Sequence, residues 1–86
     1  MSVVYTPEVL AELLRHGVAP RPTTDPQRVR DFLSALYRYE IRALKGRLLR
    51  REFPQSEYAD RVRSLRRQYV LLSIPLETWT RPAGDE

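Results

Sequence analysis

Between Pro26 and Pro54 the chain runs without another proline from Gln27 to Phe53. Proline closes a helix at the residue before it and is welcome at the first helical position. Asp25-Pro26 supplies a cap and an N1 proline, so the run reads as one helix over 26–53, about 40 Å long at ~1.5 Å per residue. A compact chain of 86 residues has a radius of gyration near ~12 Å. The helix therefore overshoots a globule of this size. Either Gly46 kinks it, or the domain is an elongated hairpin whose ends need cover from another copy.

The flanking segments repeat the same punctuation. Thr6-Pro7-Glu8 is an N-cap, an N1 proline and a first-turn acid, and Gly17 follows Arg15 and His16 as a stop, giving a short helix over 7–16. Ala19-Pro20-Arg21-Pro22 excludes helix and central strand. Ser56 can cap a third helix over 56–74. Tyr58, Val62, Leu65, Tyr69, Leu72 and Leu76 recur there at spacings of 4, 3, 4, 3 and 4, a heptad seam that Pro75 interrupts. The tail over 75–86 carries Leu76 and Trp79 back onto the bundle and ends in a frayed acidic stretch. No window alternates as a strand does. The fold expected over 1–86 is one small all-α, three-helix domain, a short N-terminal helix beside a long antiparallel helical hairpin.

Chemistry narrows by subtraction. With no cysteine there is no disulfide framework and no thiolate zinc site, and one histidine builds neither a metal cluster nor a triad. Three scattered glycines make no phosphate loop. The expectation is a non-enzymatic protein with no catalytic residue, cofactor or metal. No apolar run reaches the ~20 residues of a membrane span and no signal pattern opens the chain, so a cytoplasmic location and no membrane partner are expected.

The net charge of +4 is uneven, because residues 28–67 hold twelve basic residues against five acids while the remainder is net acidic. Along the second helix, the ~100° step puts Val29, Phe32, Leu33, Leu36, Tyr37, Ala43 and Leu44 on one broad face. Arg38, Arg42 and Lys45 cluster opposite, and Arg63 and Arg67 point away from the third helix's seam. These five form either a solvated face or a surface for an anion, a nucleic acid or an acidic protein. Glu40 and Arg47 break the apolar stripe. Glu40 has only apolar residues three and four positions away, so its carboxylate needs a partner from elsewhere. Arg61, Arg66 or Tyr69 on the third helix would fix register between helices. Alternatively Glu40 and Arg47 pair crosswise between two copies.

Leu36-Tyr37-Arg38 resembles the tripeptide that names the LYR family of small helical assembly factors, adaptors that bind acyl carrier protein and help build mitochondrial complexes. Arg42, Arg47 and Phe53 stand where that family carries later arginines and a phenylalanine. Here the tripeptide follows a complete helix and a proline linker, whereas the family sets it near the start of its first long helix. The resemblance is not adopted. The expected function is a helical protein-interaction module that self-associates, as a dimer, through the apolar faces of helices two and three. The alternative is a nucleic-acid-binding protein using the arginine-rich face.

Overall fold

The computed structural model describes residues 3–82. It is mostly helical, with one two-stranded sheet: β1 (Val3–Tyr5), α1 (Pro7–Arg15), α2 (Pro26–Leu49), α3 (Tyr58–Gln68) and β2 (Thr80–Pro82), with 3₁₀ turns over Gln55–Glu57, Val70–Ser73 and Leu76–Thr78. The part of the acidic end beyond residue 82 lies outside the described residues.

Caps set the helix starts. The Thr6 side chain accepts from the Val9 amide ahead of Pro7, and Asp25 accepts from the Gln27 amide ahead of Pro26. At the end of α1, Gly17 takes φ 74°. The Gly17 and Val18 amides donate to Leu14 and Leu13 respectively, the paired bonds of a Schellman stop.

The second helix passes unbroken through Gly46 and stops four residues before the expected end. The same two bonds close it: the Arg51 amide donates to Leu48 and the Glu52 amide to Arg47. Here the left-handed position, φ 61°, is occupied by Arg51 rather than glycine. An L-side chain there costs ~1–2 kcal/mol. Arg51→Gly is expected to stabilise the fold by about 1 kcal/mol, raising Tm by about 4–8 °C in a thermal melt.

The third helix departs most from expectation. Ser56 makes no side-chain cap, and α3 gives way after Gln68 to a 3₁₀ turn instead of running to 74. Neither proline nor glycine stands at that break, so its cause is tertiary. His16 Nε2 lies 2.8 Å from the Gln68 carbonyl, and the Arg30 guanidinium donates to the Leu72 and Ile74 carbonyls at 2.9 and 3.1 Å. His16 at the end of α1 and Arg30 on α2 thus supply donors around the break, to the Gln68 carbonyl that a continuing helix would have bonded to the Leu72 amide and to two carbonyls beyond it. The tighter turn also sinks both Tyr69 and Leu71 into the core.

The tail does fold back, and it adds a strand that the sequence reading excluded. β2 pairs antiparallel with β1, Val4 opposite Arg81 and Tyr5 opposite Thr80, and the Thr6 amide donates to the Trp79 carbonyl at 3.0 Å. The main core therefore closes around the two ends of the described chain: Tyr5, Val9, Leu13, Val29, Leu33, Tyr69, Leu71 and Trp79. The distal part of α2 and α3 extends beyond it. There Leu44 and Phe53 are buried, and the Phe53 ring lies beneath Arg61 and Arg47, whose guanidinium carbons stand 4.1 and 5.6 Å from its centroid. The body measures 53 × 17 × 17 Å with a radius of gyration of 15.9 Å, the elongated outcome of the two foreseen.

Candidate functional site

Antiparallel packing of α2 on α3 brings Glu40 and Tyr37 to Tyr69, and Arg47 and Phe53 to Arg61. Two grooves of opposite character flank this pair. One is mixed in charge, with Glu40, Ala43 and Arg47 from α2 facing Asp60 and Arg61 from α3 and Glu57 from the 3₁₀ turn before it. The other is lined by Tyr37, Arg63, Arg66, Arg67, Tyr69, Val70, Leu72 and Ser73, and no carboxylate lines it.

The two charges inside the apolar stripe have separate fates. Glu40 is half-buried and accepts a hydrogen bond from the Tyr69 hydroxyl. Tyr69 is 3 % exposed and its ring is held by His16, centroids 4.4 Å apart, and edge-on by Tyr37 at 5.3 Å. A His16–Tyr69–Glu40 chain therefore ties the end of α1, the end of α3 and the middle of α2 together. Arg47 is exposed and does not meet Glu40. It binds Glu52 at 3.2 Å just past the end of α2 and covers Phe53. The hydrogen bond from Arg50, with Arg47 adding to it, holds the Glu52 carboxyl below its ordinary range. Within the single chain, then, Glu40 acts in register and Arg47 acts in helix termination.

Burial first, and then the hydrogen bond and charge of Glu40, push the Tyr69 phenol well above its ordinary value. Burial and the Asp25 charge raise that of Tyr5, whose hydroxyl donates to the Thr24 carbonyl at 2.8 Å. A raised folded pKa means the folded state keeps a proton that the unfolded chain releases. Stability is thus full below the unfolded value of 10.0 and falls as pH rises through the folded value. Denaturant unfolding between about pH 9 and pH 11 should show this fall. In Tyr69→Phe the fall should be smaller. The same variant loses about 1–3 kcal/mol at neutral pH, because Glu40 is left half-buried without its donor.

Of the five residues expected to form a basic face, Arg63 and Arg67 come together in the carboxylate-free groove, joined by Arg66, which the sequence reading had considered only as a partner for Glu40. Arg38, Arg42 and Lys45 are exposed on α2, line neither groove, and make no ion pair among the described residues. Arg63 pairs with Asp60 on the solvent side of α3.

The sequence wheel also merged two apolar surfaces that the fold separates. Val29, Leu33 and Leu44 are buried, while Phe32 remains 53 % exposed, on one flank of α2 with Tyr39, which lies at the edge of that face and is 67 % exposed. Among the described residues no group of metal-binding side chains is present, and no helix is long and apolar enough to cross a membrane. No family model, curated protein or solved structure matches the chain.

Proposed function

We propose that this chain is a non-enzymatic helical interaction module that pairs with a second copy through the open flank of α2. The observation that carries the reading is a second apolar stripe. Phe32, Leu36, Tyr39 and Ala43 follow at spacings of 4, 3 and 4, a coiled-coil seam, and Phe32 and Tyr39 are uncovered.

Size suits an antiparallel partner. A two-fold axis between Tyr37 and Arg38 sets Phe32 of each copy against Ala43 of the other, large on small, and Leu36 against Tyr39. Surface supply is sufficient. The chain exposes 6460 Å², about 1,200 Å² more than a compact chain of its mass. A standard interface removes only about 800 Å² per partner.

Sedimentation velocity should show a dimer forming through the micromolar range. Phe32→Glu and Tyr39→Glu, both at exposed positions, should each weaken it at least about tenfold while leaving the helical circular dichroism intact. A native chain that stays monomeric at high micromolar concentration overturns the reading.

A further inference from the structure

We infer that the carboxylate-free groove between Tyr37 and α3 is the docking site for an acidic amphipathic helix of a partner protein. It lies on the other side of α2 from the self-association stripe, so the inference stands independently of dimer formation.

The rim is built for carboxylates. Arg63, Arg66, Arg67 and Val70 follow one another at helical spacing along α3 and the turn after it, within about two turns. Arg66 and Arg67 make no ion pair among the described residues, and Arg63 shares its charge only with exposed Asp60. A guanidinium fork matches a carboxylate in two parallel hydrogen bonds, and an exposed intrahelical pair such as Arg63–Asp60 competes weakly for it. The acids of the α2–α3 pair, Glu40, Glu57 and Asp60, line the opposite groove. Glu40 and Asp60 reach this side only through their bonds to Tyr69 and Arg63, which leaves Arg66 and Arg67 uncompensated. Arg38 follows Tyr37 directly on α2, and by the helical step Lys45 shares its flank, extending the positive bank.

The floor excludes a purely electrostatic ligand. Val70 is 39 % exposed, and Leu72 and Tyr37 are half-buried beside it. Such a floor takes apolar anchors, which an amphipathic helix presents at i, i+3, i+4 and i+7 with glutamates on either side. A single-stranded nucleic acid would need an open ring face for stacking. Tyr69 is 3 % exposed, Tyr37 is half-buried against it in a T-shaped pair, and the most open tyrosine, Tyr39, belongs to the other groove. The combination of arginine rim and apolar floor, with no fully exposed tyrosine, favours a protein helix over a nucleic acid.

The probes are a fluorescent leucine–glutamate amphipathic peptide of about 18 residues, five helical turns, a scrambled peptide of the same composition, and a mixed-sequence RNA of matched charge. The amphipathic peptide should bind most tightly, more weakly as salt rises. The triple variant Arg63→Gln, Arg66→Gln, Arg67→Gln should lose about tenfold or more, and Val70→Asp a similar factor. Arg21→Gln, at an exposed residue that does not line the groove, should stay within about twofold. These substitutions sit at exposed positions, and unchanged melting curves would confirm that each variant is folded. Equal binding of the scrambled peptide, tighter binding of the RNA, or an unaffected triple variant would overturn the inference.

Discussion

Trp79→Ala is expected to remove about 3–5 kcal/mol from a domain whose whole stability is about 5–15 kcal/mol. The midpoint of a thermal melt should fall by at least about 12 °C. Trp79 is 0 % exposed and packs in a core assembled from both chain ends and the first half of α2. Its carbonyl also receives the Thr6 amide, so the residue that fills the core also anchors the tail to the start of α1. Little else in the tail can replace it, since Leu76 only borders the cluster. The indole N–H makes no hydrogen bond. Trp79→Phe should therefore cost less than half as much, because it loses volume without losing a polar contact. If the two variants melt alike, shape rather than apolar burial holds the site.

Arg30→Met should cost about 2–4 kcal/mol, since two part-buried carbonyls, Leu72 and Ile74, each lose a charged donor. Methionine retains the apolar stem, so the loss reports hydrogen bonding rather than packing. Arg30→Lys should recover part of it, because an ammonium lacks the planar fork that reaches both oxygens. Amide exchange over residues 69–76 should accelerate more than exchange in the middle of α2. A uniform acceleration would mean that Arg30 supports the whole fold and not the break after α3 in particular.

These two residues mark where sequence reading stopped. The starts of α1 and α2 were legible because Thr6-Pro7 and Asp25-Pro26 act through neighbouring atoms, and Gly17 stops α1 in the same local way. The end of α2 was misplaced because an arginine holds the left-handed position where glycine would have signalled it. The third helix was drawn too long because Leu72 and Leu76 continue the heptad of Tyr58 through Tyr69. Spacing alone cannot show that His16 and Arg30, over 40 positions away in sequence, supply the donors that make a break affordable. The strands escaped notice because three residues each are too few to show alternation, and their pairing joins the two ends of the described chain.

Glu40 and Arg47 divide the same way. A carboxylate surrounded by apolar neighbours had to find a donor elsewhere, across the hairpin or on a second copy, and Tyr69 was among the partners considered. Arg47 carried the identical signal in the wheel but meets Glu52, because α2 ends two residues after it and the chain turns back.

By itself the sequence determined a mostly helical chain, the capped starts of its first two helices and a charge on α2 that needed a partner. Each follows from interactions within a turn or two of chain, which residue order encodes directly. Tertiary structure alone decided where α3 breaks, that the ends pair as strands around Trp79, and that one apolar face of α2 is two, a buried core stripe and an open flank. It also decided that the arginines of α3 gather beside an apolar floor while the acids of the hairpin line the other side. Those outcomes depend on which distant groups meet, and a helical wheel carries no information about distance between elements.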